Sequence, residues 1–384
     1  MMKIIKEISF EINIEEPIDE NLSRGQLISE LSKQGYQLLK ENKIEDAKEC
    51  FRQILSMDTE NNYALVGMGD AWRKRNAFRP AAQFYERCLV CHPDNNYALF
   101  GLADCYKALN QYIKAIEIWN KYLEHDEKNI TVLTRVADAY RKLHDFKNSK
   151  LKYERVLEIE EDNAYAIIGL GHLHYDFKEY QDALFYWEKM LETHSLLSVD
   201  IRVLTSIGNC YRKLKLFDDG LAYFDAALRR DPANFYALFG LGDCFRGLNQ
   251  PRRSLDYWNL ILEQDPRNKV ILTRAGDAYC ALQNYAQAAD YYTRALNIEF
   301  DTYAVLGLAV IAKIHGAFEK AIDILLNLIE QDMKNHRPYL ELADCYRRIG
   351  DKEAAIAVLR DFQSFGIRNN AVNDLLERLI LLEW

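Results

Sequence analysis

Three stretches of this chain have residue types and spacing that can do chemistry. Cys88-Leu-Val-Cys91-His92 matches the pattern for covalent c-type haem attachment. His172 and Asp176 stand one helical turn apart, so they share a face and can approach one metal ion. Gly67-x-Gly69, Gly169-x-Gly171 and Gly240-x-Gly242 are faint versions of a phosphate loop. Each motif needs a context that is missing. The N-terminus has Lys3 and Lys6, but charges break its apolar run and no small-residue cleavage site follows, so it does not read as the export signal that haem attachment requires. The metal pair lacks a third ligand, because His174 is too near His172 to share its face. The glycine pairs follow no strand and read as close-packing sites. No nucleophile, base and orienting group converge. The expectation is a non-enzymatic protein with no catalytic residue, no cofactor and no metal.

A stronger signal is a set of acids, bases and aromatics that recurs about every 34 residues. Asp70, Asp104, Asp138, His172, Asn209, Asp243, Asp277 and Asp344 form one row. Arg73, Lys107, Arg141, Tyr175, Arg212, Arg246, Cys280 and Arg347 form another, one turn further on. Arg135 and Arg274 precede two of the acids, and Tyr63, Tyr97, Tyr165, Tyr236 and Tyr303 form a third row. Acceptors beside donors suit the backbone of an extended peptide, and tyrosine and arginine are frequent binding anchors. The plainer reading is a solvated face of ion pairs, each worth at most about 1 kcal/mol.

The rows belong to a repeat. From Ile28 to Asn369 the chain divides into ten units, beginning near Ile28, Asn62, Asn96, Ile130, Ala164, Ile201, Phe235, Lys269, Thr302 and His336. A fixed period of this size signals a solenoid. In the third unit Leu99, Leu102, Ala103 and Tyr106 gather on one face of a helix A. Asn110 and Gln111 mark a turn, and Ala115, Ile118, Trp119, Tyr122 and Leu123 form the stripe of a helix B. In this numbering the acids sit at position 9, the bases at 12, the tyrosines at 2, and Arg135 and Arg274 at 6. Pro93, Pro232 and Pro266 fall between units, and Pro80, Pro251 and Pro338 at helix entrances. Positions 8 and 20 are small, as a close helix crossing requires. Ser149 and Gly220 depart from the usual alanine at position 20, which predicts weaker hairpins there.

The pattern resembles the tetratricopeptide repeat family, of the bacterial multi-repeat scaffold kind. Gly69, Trp72, Ala81, Tyr85 and Pro93 carry the resemblance in unit two. Gly242, Phe245, Trp258 and Pro266 carry it in unit seven, and Gly276, Tyr279, Ala288, Tyr292 and Ala295 in unit eight. It implies an all-α fold, a right-handed superhelical solenoid of about ten helix-turn-helix repeats with A helices lining an inner groove. It implies protein or peptide binding there. Some members grip a chaperone's C-terminal carboxylate with lysine at position 5. Here that position reads Val66, Phe100, Thr134, Ile168, Thr205, Phe239 and Thr273, so the clamp is absent.

A longer period overlies the short one. Units three, five and seven carry Gly101, Gly169 and Gly240 at position 6 and Trp119, Trp187 and Trp258 at position 24. Units four, six and eight carry Arg135, Ser206 and Arg274 at position 6. Two explanations stand: duplication of a pair of units, or a partner of matching periodicity.

The organisation reads as an extension over 1–27, repeats one to five over 28–197, repeats six to ten over 198–369, and a capping helix over 370–384. The loop Ser195-Leu196-Leu197-Ser198 has no place in the repeat. In the extension Ile8, Phe10, Ile12 and Ile14 alternate with polar residues, a strand pattern that must find a partner. That suggests self-association through this segment, or its return into the groove. A structural oligomeric building block is therefore the alternative to a binding scaffold.

Charge and cysteine usage narrow the setting. The formal charge of −9 argues against nucleic acid and anionic membranes as partners. No apolar run reaches the roughly 20 residues of a membrane span. Cys105, Cys210, Cys244 and Cys345 share position 10 in separate units, too far apart to bridge, which fits a reducing cytoplasm.

Overall fold

The structure, a computed structural model, describes residues 23–193 and 200–381. The expected strand over 8–15, with Ile8, Phe10, Ile12 and Ile14, lies outside the described residues, as does the loop Ser195–Ser198. Among the described residues there are 21 helices and no strand. The chain falls into two compact units, Met1–Leu196 and Leu197–Trp384.

The first unit pairs α1 (Arg24–Lys40) with α2 (Ile44–Met57), α3 (Asn62–Lys74) with α4 (Phe78–Cys91), and α5 (Asn96–Ala108) with α6 (Tyr112–His125). It continues with α7 (Ile130–Lys142) and α8 (Phe146–Ile159), then α9 (Ala164–Asp176) and α10 (Tyr180–Thr193). The second pairs α11 (Ile201–Lys213) with α12 (Phe217–Leu228), α13 (Phe235–Gly247) with α14 (Pro251–Gln264), and α15 (Lys269–Ala281) with α16 (Tyr285–Leu296). It ends with α17 (Thr302–Ile314) and α18 (Phe318–Gln331), α19 (His336–Arg348) and α20 (Lys352–Ser364), and the last helix α21 (Asn370–Leu381). Up to α20, odd numbers are A helices and even numbers B helices.

Local chemistry starts and stops these helices. Asn61, Asn95, Asn129, Asn163, Asn234 and Asn268 cap the next A helix, each side chain accepting from a backbone N–H in its first turn. Such a cap is worth about 1 kcal/mol. Five of these amides also donate to an acid just upstream, Asp58, Asp126, Glu160, Asp231 or Asp265, which gives the acid between repeats a role. Each A helix ends on a left-handed residue at position 15. That residue is Gly316 or Gly350 in two repeats, but Asn76, His144, Lys178 and Gln283 among the others.

An aromatic or leucine at position 24 of each B helix fills the layer between two A helices. Tyr85, Trp119, Tyr153, Trp187, Trp258 and Tyr292 are all buried. Position 20 is as tight as expected, and its three exceptions, Ser149, Gly220 and Ser254, have local reasons; the buried Ser254 hydroxyl donates to the Gln250 carbonyl at 3.3 Å. The Ser149 hydroxyl is buried and donates to the Ala137 carbonyl at 2.9 Å, so it leaves no orphan. A Cβ added at Gly220 would stand 3.1 Å from the Gly208 carbonyl oxygen, so alanine would crowd this crossing.

Within each unit A helices of neighbouring repeats touch, α3 against α5 and α15 against α17 for example, whereas among the stronger contacts no B helix meets the next B helix. The A helices therefore form the tighter, inner layer.

Candidate functional site

The inner layer carries the acid and base rows, and the structure links them across repeats. Within a repeat the expected pairs form: Arg73 to Asp70 at 3.0 Å, Arg246 to Asp243 at 3.3 Å and Arg347 to Asp344 at 2.6 Å. Arg141 and Asp138 are looser at 3.8 Å. Further links run between repeats. Arg73 donates to Asp104 at 3.2 Å, Arg141 to Asp176 at 2.6 Å and Arg212 to Asp243 at 2.8 Å. Arg135 and Arg274 reach back to Asp104 and Asp243 respectively. Arg212 also touches Asn209 at 3.2 Å. Linear spacing shows only the within-repeat pairs; those between repeats need the stacking distance.

The acids divide into two kinds, and the ring at position 24 decides which. Asp70, Asp138 and Asp277 accept the phenols of Tyr85, Tyr153 and Tyr292 at 2.7, 2.6 and 2.7 Å. Asp104 and Asp243 belong to repeats whose position 24 is tryptophan, Trp119 and Trp258. Their indole N–H groups are buried without a partner among the described residues. These two acids take arginines from both neighbouring repeats instead.

The same ring explains the longer period. A Cβ added at Gly101, Gly169, Gly240 or Gly307 would fall within 2.4 Å of the ring of Tyr85, Tyr153, Phe224 or Tyr292. A phenyl or phenol ring at position 24 thus demands glycine at position 6 of the next repeat. After tryptophan, position 6 is Arg135, Ser206 or Arg274 instead. The alternation is a packing rule between consecutive repeats.

Two charged nodes result, one in each unit. In the first, Asp104 lies between Arg73 and Arg135, and the Arg135 guanidinium stands 4.7 Å over the Phe100 ring. In the second, Asp243 is 2% exposed between Arg212, Arg246 and Arg274, with Arg274 at 4.9 Å over Phe239. A third cluster joins Asp344 to Lys313, Arg347 and Arg348. Burial acts to raise the Asp344 carboxyl, but these donors outweigh it and hold it at about 2. Asp277 keeps a solvent-exposed edge, yet the protein around it displaces water and pushes its carboxyl up, against the Tyr292 hydrogen bond.

The tyrosine row is open. Tyr97 is 80% exposed, Tyr165 76%, Tyr236 66%, Tyr63 61% and Tyr303 56%. Beside the first node a cleft of about 470 Å³ lies among Asp70, Arg73, Asn96, Tyr97, Phe100 and Tyr122. Another, of about 710 Å³, lies at α1 among Lys33, Tyr36 and Tyr63. Lys107 is half-buried in the inner layer. His172 meets Trp187 edge to face at 5.3 Å.

The motifs set aside on sequence have structural places. Cys88 is a buried core thiol, and His92 Nε2 lies 3.0 Å from the Glu60 carbonyl oxygen. Burial pushes the Cys105, Cys210 and Cys244 thiols up to about 12, which keeps them protonated. Asp176 pairs with Arg141. The buried His174 ring instead meets Glu179, Nδ1 to oxygen at 2.7 Å, with Asp182 near.

Family models described as Tetratricopeptide repeat match residues 32–96 and 207–269, 84–117, 271–302 and 336–364, together more than half of the chain. The chain is a tetratricopeptide repeat protein. Curated proteins give no match. Among solved structures, a tetratricopeptide repeat protein from Parabacteroides merdae is similar, with 16% identity and a TM-score of 0.51 over 66% of this chain and 99% of that one. Yeast Tom70 aligns over 94% of this chain and 96% of its own, at 12% identity and a TM-score of 0.44. YrrB, described as a TPR protein with an unusual peptide-binding site, aligns over 50% of this chain and 97% of its own, at 20% identity and a TM-score of 0.44. At these identities the likeness concerns the fold. Proteins of this repeat family serve typically as interaction scaffolds. No helix among the described residues is long and apolar enough to cross a membrane.

Proposed function

We propose that this tetratricopeptide repeat protein is a non-enzymatic scaffold that binds an extended segment of a partner protein along the A-helix face. The exposed tyrosine row carries this reading. The fold packs its other rings at position 24, so it has no need of large aromatics at position 2. Yet Tyr97, Tyr165 and Tyr236 stand in water, and Tyr97 shares a cleft with Arg73, a combination favoured at interaction surfaces. The acids of position 9 enter differently from the sequence expectation. Tyrosines and arginines already occupy them, so they support the groove wall, while the tyrosines and the outer edges of the arginines meet the partner. Buried, protonated thiols suit work in a reducing cytoplasm. A micromolar affinity, about −8 kcal/mol, is expected for a single segment.

A photo-crosslinking amino acid in place of Tyr97 or Tyr236 tests this in cells. The expected result is a discrete adduct from both positions, and none from Val90 or Leu151, exposed on B helices. Adducts from the B-helix positions alone would sink the groove reading. An adduct of twice the chain's mass would favour the alternative, a self-associating building block.

A further inference from the structure

We propose that the segment taken by the first unit is acidic, and that the cleft beside Arg73 seats one of its aromatic side chains. This deepens the scaffold reading and rests on it.

The first ground is a charge asymmetry between the two helix layers. The chain carries −9 overall. Yet the five A helices of the first unit hold nine lysines and arginines against five aspartates and glutamates. The five B helices behind them hold eleven of each. In the second unit the A helices hold ten basic residues against four acidic, and the B helices six against eleven. The inner layer is thus basic in both units of an acidic protein. A positive face with low-dielectric walls concentrates anionic segments and speeds their capture.

The second ground is the cleft. Phe100 and Tyr122 form its apolar wall, edge to face at 6.2 Å, and Tyr97 stands exposed at its rim. Arg73 closes one side, its guanidinium held by Asp70 and Asp104. A flat ring fits between such walls, and a carboxylate beside it meets the remaining N–H groups of Arg73. The alternating aspartates speak against a nucleic-acid strand. Phosphates arrive at every nucleotide and would face Asp70, Asp104 and Asp138 in turn, whereas a peptide places its acids selectively.

Fluorescence polarisation on the full chain tests the proposal. The probe is a short labelled peptide, acetylated and amidated, with one phenylalanine flanked by glutamates. One twin carries lysines for the glutamates, another alanine for the phenylalanine. Each twin should bind about tenfold more weakly than the probe. Raising salt should weaken the probe more than the lysine twin. Tyr97→Ala and Asn96→Phe alter exposed residues and should leave the thermal melt unchanged. Both should erase the difference between the phenylalanine and alanine peptides. The proposal falls if the lysine twin binds as well as the probe, or if Tyr97→Ala weakens both peptides equally. It also falls if an oligothymidylate binds more tightly than the acidic probe. If peptides of every charge crosslink to Tyr97 equally, the scaffold reading stands and only this proposal fails. If no peptide crosslinks there, the scaffold reading fails with it.

Discussion

The two charged nodes are built from the same parts and end in different states. Each sets an aspartate at position 9 between an arginine of the preceding repeat and one of the following repeat, under a guanidinium stacked on phenylalanine. Around Asp104, position 12 is Lys107, position 1 is Asn96 and position 27 is Tyr122. Around Asp243, these become Arg246, Phe235 and Ile261. Arg246 adds a third cation to the carboxylate, and Phe235 stacks on Phe239 at 5.9 Å. The Asp243 side chain is left 2% exposed, whereas Asp104 keeps 13% and an open cleft beside it. A few substitutions on one frame therefore separate a wall that packs from a wall that keeps a cleft open.

The sharpest way to break this comparison is to remove each carboxylate. Asp243→Ala removes a buried carboxylate shared by three guanidinium groups and should destabilise the second unit by about 3 kcal/mol. Asp104→Ala removes a more exposed carboxylate that holds two arginines rather than three and should cost about 1 kcal/mol. Urea melts followed by circular dichroism separate the two. Equal losses would mean that burial does not distinguish the nodes.

The ring-to-glycine rule should hold in both units, with a smaller difference. Gly240→Ala drives a Cβ into the Phe224 ring and should cost about 2 kcal/mol. Gly101→Ala displaces Tyr85 in the same way and also strains its bond to Asp70, so it should cost more by about 1 kcal/mol. Ser206→Ala, which follows a tryptophan, should be nearly neutral. A loss at Ser206 as large as at Gly240 would refute the rule.

The smallest expected effect is in pH. Asp344 is held at about 2, below its ordinary 3.8, so its ion pairs stabilise the fold fully above the ordinary value. That contribution is lost as pH falls through the range from 3.8 to about 2. Asp344→Asn should flatten the pH dependence of stability in this window and change little at neutral pH beyond the lost pairs. An unchanged acid slope would mean that Lys313 and the two arginines do not hold the carboxylate when folded.

The fold was legible because each repeat restates it. Small residues at positions 8 and 20 recur in every unit, and the ring at 24 and the asparagine before the A helix recur in most, because each is a local requirement met by residue type. The groove rows were legible for the same reason, since helical spacing fixes which residues share a face. Asp70 beside Arg73 follows from a single turn of helix.

What Asp104 or Asp243 binds does not follow from any one helix. Their main partners, Arg135 and Arg274, lie in the next repeat, and the bond depends on how far one helix layer stands from the next. The phenols of Tyr85, Tyr153 and Tyr292 likewise reach their acids only after a B helix has folded back on its A helix. The long period was visible as an alternation, but duplication and partner matching both explained it. Stacking supplied the cause, a ring of one repeat resting where the next has room only for glycine. Charge followed the same division. The sequence by itself determined a net acidic chain of paired helices, because composition and periodicity are properties of the chain. The tertiary structure decided that the basic residues gather on the inner layer, because only packing separates one helix of each pair from the other.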